Sequence, residues 1–262
     1  MKFAIVASKK DEAGMTIARE LEKLDVDVIL LDKISIYADE EVNEKCADAD
    51  FVIFATKHES EKKVKSLSVH APGNWGVADF GGVAGKVCKT SAMFLKLIFN
   101  ILNDESEKQK LKDYEITMEC THHGPLIQKP CIFIEIGSSE EGWNDSNAGK
   151  VIATTIKRAI NNIVLGGLSK YESVIAIGGP HYCPNFNKVQ LNSKYAVGHV
   201  IPQYVLPLTN EMISEAVSGT IEKVKKVIID WKGCGVSAER EKVISLLEKE
   251  GLEVLRSDKV GK

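Results

Sequence analysis

Short apolar runs of strand length alternate with helix-period segments along most of the chain, and that alternation admits few architectures besides a layered α/β fold. Phe3 to Ala7 is the first run, and Asp11 then stands where it can cap a helix presenting Met15, Ala18, Leu21 and Leu24. Further strands are expected over Val26 to Leu31, Phe51 to Thr56, Cys131 to Ile136, Ser173 to Ile177, Lys225 to Asp230 and Leu252 to Leu255. Met93, Phe94, Leu97, Ile98, Ile101 and Leu102 predict an amphipathic helix that fades into polar surface over Asn103 to Lys112. A second helix runs from Ala148 through Ile156 to Ile163 and is expected to stop at Gly166-Gly167, and a third uses Val243, Ile244 and Leu247. Between Tyr114 and Thr121 the period changes to two, as in a half-buried strand. Its link to Cys131 is too short for a helical crossover, so antiparallel pairing is expected there. The predicted fold is a three-layer α/β sandwich with a mixed, mainly parallel central sheet. Residues 1–262 read as one α/β catalytic domain, with 220–262 as a C-terminal strand–helix–strand extension of that sheet.

Composition narrows the function. With 262 residues and 44% hydrophobic content the chain can bury a sizeable core, and a formal charge of −3 excludes a bulk polybasic nucleic-acid binder, so no DNA partner is expected. Six cysteines are scattered without a C-x-x-C pair, which suits a reduced, cytoplasmic setting. No signal peptide and no membrane-spanning run are expected, and the chain reads as a monomer. Two familiar triggers fail. Gly81-Gly-Val-Ala-Gly85-Lys86 has Phe80 where a phosphate loop needs its first glycine, and no Ser or Thr follows the lysine. Asp79-Phe80-Gly81 spells a kinase triplet without the rest of a kinase.

What remains is histidine. Five of the six fall in polar clusters beside glycine and proline: Lys57-His58-Glu59, His70-Ala-Pro-Gly-Asn74, Thr121-His122-His123-Gly-Pro125 and Gly178-Gly-Pro-His181-Tyr182. His58 would lie just beyond a strand end, where open α/β sheets bind ligands. On a straight strand His122 and His123 would point to opposite faces and Glu119 would stand about 13 Å from His123, so a shared ion requires a bend, which Gly124-Pro125 permits. His122 and His123 with His181, or with His58, would then supply the three ligands of a catalytic zinc. The bland alternative is loop histidines bonded to backbone.

These motifs together resemble the archaeal and plant type of D-aminoacyl-tRNA deacylase. The likeness rests on Glu119 with Thr121-His-His-Gly-Pro125, on Ile134-Glu-Ile-Gly-Ser-Ser-Glu140 with Trp143, on Gly178-Gly-Pro-His-Tyr182 with Pro184, and on the His58 and His70 to Asn74 segments, from the first strand to about Pro202. It implies a fold related to peptidyl-tRNA hydrolase and the nucleoside phosphorylases, hydrolysis of the ester of D-aminoacyl-tRNA in translation quality control, and dependence on zinc. Two departures stand out. Pro180 replaces an expected third glycine and removes a backbone donor, and Lys57 replaces an expected arginine, turning a bidentate contact into a point charge. The expected roles are Glu119, His122 and His123 as catalytic residues, and His122, His123 and His181 as zinc ligands. Lys57, His58, His70, Asn74, Trp75 and Glu135 are expected to bind substrate, Trp75 by stacking on the terminal adenine and Glu135 by holding the substrate ammonium. A peptidyl-tRNA hydrolase-like or phosphorylase-like enzyme, or a non-catalytic RNA-binding protein, would use the same architecture.

Overall fold

The computed structural model describes residues 1–164 and 171–261, so the expected stop at Gly166-Gly167 lies outside the described residues. The chain opens with β1 (Phe3–Ser8) and α1 (Glu12–Glu22), joined by Asp11, whose Oδ1 accepts the Gly14 amide at 2.8 Å as the predicted cap. It continues through β2 (Ile29–Leu31), α2 (Asp39–Lys45), β3 (Phe51–Lys57), β4 (Ser66–His70) and α3 (Ala92–Lys108). β5 (Glu115–Met118), β6 (Cys131–Gly137), a short α4 (Glu140–Trp143) and α5 (Ser146–Val164) complete the first half. The second half holds β7 (Glu172–Ile177), α6 (Pro184–Asn192), β8 (Tyr195–Ile201), α7 (Asn210–Gly219), β9 (Lys226–Ile229), α8 (Ser237–Lys249), β10 (Glu253–Arg256) and a terminal turn, α9 (Ser257–Val260).

The expected mixed, mainly parallel sheet is present with strand order β2-β1-β3-β6-β4-β5, but β7 to β10 form a second, all-parallel sheet, β10-β9-β7-β8. The direction change near Tyr114 to Ile136 is also real, with a different partner. β5 runs opposite to β6, yet β4 lies between them, antiparallel to β6 and parallel to β5. β4 reads Ser-Leu-Ser-Val-His, too short and too polar on alternate positions to stand out among the histidine motifs, and β8 was likewise unassigned. Val26 to Val28 stay outside β2, which is only three residues long.

One face of the first sheet packs Ile5, Ile53 and Ile134 against α1 and α5, and the other packs Val6, Phe54 and Phe133 toward Val42 of α2. Phe54 and Phe133 stack with centroids 4.4 Å apart. α3 lies between the sheets, touching β4, β5, β7 and β8. Its Phe94 meets Phe51 edge-on at 5.0 Å, and truncating it to Ala would cost about 3–5 kcal/mol. The far face of the second sheet is closed by Ile213 of α7 and Val243 and Leu247 of α8. Among the described residues no helix is long and apolar enough to cross a membrane.

Candidate active site

Parallel β3 and β6 end side by side, and Thr56 opposes Glu135 in their register. Ser68 of β4 opposes Glu135 from the other side. Glu135 is therefore a carboxylate inside the sheet, 1% exposed, with Oε1 accepting from Thr56 Oγ1 at 2.8 Å. Such a charge persists only when paired. His58 Nδ1 stands 3.6 Å and His70 Nε2 3.7 Å from its Oε2. Burial pushes the Glu135 carboxyl upward, but these two imidazoles outweigh it and hold the group down at about 2.

β5 stops at Met118, and the next residues leave the first sheet for the second. The Cys120 amide donates to His181 O at 2.9 Å and the Thr121 amide to Val200 O at 3.1 Å. Glu119 is carried into the seam between the sheets, also 1% exposed. Its Oε1 lies 3.2 Å from His58 Nδ1, and its Oε2 lies 3.0 Å from His181 Nε2 and 3.4 Å from His122 Nε2. The expected bend occurs one residue before Gly124. His123 has φ of 47°, which brings the His122 and His123 rings to 4.3 Å instead of opposite faces. Gly124 is required there by space, since a Cβ would sit 2.3 Å from the Gly82 amide nitrogen and 2.4 Å from the Gly81 carbonyl carbon.

Two kinds of imidazole result. Burial depresses His58 and His181, but Glu119 and Glu135 outweigh it for His58, and Cys120 Sγ with Glu119 does so for His181, raising both to about 10. Burial and the neighbouring histidines hold His122 well below the usual range and His123 down to about 4. His122 Nδ1 donates to Cys120 O at 2.8 Å, so its Nε2 carries a lone pair aimed at the Glu119 carboxylate. Two acceptors facing each other are satisfied by a cation or a proton between them. Single ligand atoms of His58, Glu119, His122 and His181 all lie within 4.8 Å of one another, and the same spacing holds for His70, His122 and His123 and for His70, Glu119 and Glu135. The donor set fits a borderline metal, and the backbone bond that fixes the His122 tautomer is what such ligands ordinarily have.

A family model described as D-aminoacyl-tRNA deacylase matches residues 45–255. Over 225 residues the chain is 37% identical to the D-aminoacyl-tRNA deacylase of Pyrococcus abyssi, covering 84% of this chain and 79% of that one. With the D-aminoacyl-tRNA deacylase of Methanocaldococcus jannaschii the identity is 34% over 261 residues, covering 97% and 98%. The chain belongs to the D-aminoacyl-tRNA deacylase family. A crystal structure of AF0625, described as a conserved protein of unknown function, superposes with a TM-score of 0.87 at 30% identity, covering 99% of this deacylase-family chain and 96% of that one.

The structure redistributes the sequence-predicted site. Glu119, His122, His181 and His58 converge; His123 does not join His181 around one point but groups with His70 and His122. His58, expected to hold the nucleotide or to complete the ligand set, lines the cavity and is one of the four donors around Glu119. His70, expected to bind substrate, is fully buried, its ring 4.4 Å from that of His122, whereas Asn74 lines the cavity and donates Nδ2–H to Gly81 O, holding a loop. Trp75 lines the cavity but is only 7% exposed, its indole N–H donating to Val200 O at 3.2 Å and its ring edge-on to His199. Lys57 is at the cavity lip, 2.9 Å from Glu59 and 4.4 Å over the Trp143 ring. Sequence reasoning missed Cys120 and Tyr204, whose Sγ and OH lie 3.0 Å apart behind His181 Nδ1. Nothing in the pattern marks Tyr204, and Cys120 looks like the last inward residue of a strand.

Proposed function

We propose that this protein hydrolyses the ester bond of D-aminoacyl-tRNA, releasing free D-amino acid and tRNA as a quality-control step in translation, and that it does so with zinc. The observation that carries this is the buried Glu119 carboxylate ringed by His58, His122 and His181, opening on a cavity of roughly 1590 Å³ in a chain of the deacylase family. His58, His122 and His181 would hold the ion, leaving a position for water beside Glu119. A zinc ion there would lower the pKa of water and polarise an ester carbonyl.

The chain's own groups do the rest. Glu119 Oε2, between His122 Nε2 and His181 Nε2, is the carboxylate that orients a reacting water and receives its proton. His122 stays neutral, so its Nε2 lone pair is available at neutral pH. His58 and His181 balance the Glu119 charge, and as ligands both would have to be neutral. Glu135, which lines the cavity and whose Oε2 makes no close hydrogen bond among the described residues, is the acceptor for the substrate ammonium. Lys57 meets a terminal phosphate at the lip. All of these come from one chain, so a monomer acting as one catalytic unit suffices, and an aminoacyl-tRNA substrate implies a cytoplasmic protein.

The deciding experiment offers D- and L-aminoacyl-tRNA to purified protein with and without chelator. Faster release from the D form, abolished by chelation and restored by zinc, is expected. Equal rates on both enantiomers would overturn the substrate, and full activity in chelator would overturn the ion.

A further inference from the structure

We propose that Phe80 and Val77 form a stacking subsite for the unpaired 3′-terminal bases of the acylated RNA, an inference that rests on the hydrolysis proposed above and names where the nucleic-acid end lies. Phe80 is 66% and Val77 75% exposed, and both line the cavity that contains the Glu119 centre. Scattered exposed apolar residues are ordinary, but this one is held out by a fixed backbone. The Phe80 carbonyl accepts the Gly124 amide at 2.9 Å, and Asn74 Nδ2 donates to Gly81 O at 2.9 Å. Gly81 has φ of 76° and packs so tightly that a Cβ there would lie 1.9 Å from Ile36 O. The loop is closed at its base by Asn74 N to Lys86 O and Gly85 N to Gly76 O bonds of 2.8 and 2.9 Å. A ring projecting from such a loop loses little conformational freedom when a ligand covers it.

The occupant follows from position and charge. Phe80 is bonded to the turn that presents His122 and His123, so whatever lies on it is next to the reacting ester. The cavity exceeds the 300–1,000 Å³ or so that encloses a small ligand, more than an aminoacyl group fills. Tyr204, 59% exposed, and Ile34, 42% exposed, line the same cavity and extend its apolar surface. The cavity is also lined by Lys57, already paired with Glu59, by Glu61, and by Lys62 and Lys63, which make no ion pair among the described residues. That nearly balanced set attracts phosphates weakly, so recognition falls to the bases, whose flat faces an aromatic platform accepts whatever their identity.

Binding of uncharged tRNA and of a short single-stranded RNA with the same 3′ sequence, measured by fluorescence anisotropy for wild type, Phe80→Ala and Phe80→Trp, tests this. Phe80→Ala should weaken both about 10-fold and Phe80→Trp should restore them, and the loss should persist from 50 to 200 mM salt. An analogue with abasic terminal sugars should bind wild type and Phe80→Ala alike. In turnover of D-aminoacyl-tRNA, Phe80→Ala should act mainly on KM. Equal RNA affinity of wild type and Phe80→Ala, or a patch whose substitution changes only the sedimentation of the protein and so marks contact between copies, would overturn the subsite. Because binding is read on uncharged RNA, Phe80-dependent affinity without deacylation would refute the proposed reaction alone, while D-selective deacylation with Phe80-independent affinity would refute the subsite alone.

Discussion

Two neighbouring histidines, His181 at the cavity and His199 in the seam behind it, show how one residue type serves two ends. His199 lies on β8, fully buried, with Nδ1 bonded to Thr121 Oγ1 at 3.0 Å and Nε2 to Cys88 O at 2.9 Å. Both nitrogens are satisfied, and burial lowers its pKa to about 4. His181 and its companions His58 and His122 instead surround a carboxylate, with His58 Nε2 and Glu119 Oε1 left without a well-aligned hydrogen bond. Buried polar groups are nearly always satisfied, so the unsatisfied set marks the place shaped for something else. The satisfied histidine belongs to the architecture.

The sharpest way to break this contrast is Glu119→Gln. Turnover should fall by about 10²–10⁴-fold and zinc per chain should drop, because the amide cannot accept a proton or balance a cation; near-wild-type single-turnover rates would dissolve the distinction. His122→Ala and His181→Ala come next, with metal content and turnover falling about 100-fold or more while the thermal midpoint moves little. His199→Gln should do the reverse. Its turnover per folded molecule should stay within a few-fold, while its stability at neutral pH falls by about 1–3 kcal/mol through the lost hydrogen bonds.

The same residue gives a pH signature. Because the folded pKa lies near 4 and the unfolded value near 6.5, the unfolded state binds the extra proton between those values, so stability contributed by neutral His199 is complete above about 6.5 and lost as pH falls toward 4. Denaturant unfolding across that window should show about 3 kcal/mol of this loss in the wild type and a shallower slope in His199→Gln. The smallest effect belongs to Trp75→Phe, which removes the indole bond to Val200 O and should cost about 1 kcal/mol without changing KM. A raised KM would return Trp75 to the substrate.

Much of this was legible beforehand because local pattern and local chemistry agreed. Asp11 caps its predicted helix, Phe51 to Thr56 delivers His58, and Gly124-Pro125 marks the place where a bend is permitted. What the sequence hid was long-range. Nothing local in Ser66 to His70 announces insertion beside β6, and without that strand His70 reads as a loop residue when it is buried under His122. Likewise the partner that fixes the Trp75 indole, Val200 O, is 125 positions away and leaves no local mark. Which histidines group with Glu119 could not be chosen from spacing, since the left-handed His123 decides which ring turns toward Glu119 and which toward His70.

The passage of residues 119–124 from the first sheet to the second has a consequence for how the protein comes into being. Glu119 is 62 positions before His181 and bonds to it across that seam, so this contact closes a long loop and belongs among the late, slow events of folding. A nascent chain that has made only the first sheet already owns His58, Glu119 and His122 but lacks the fourth donor. Until β7 and β8 dock, the half-made site lacks one of the imidazoles around Glu119, and acquisition of activity during refolding becomes a clock for the joining of the two sheets.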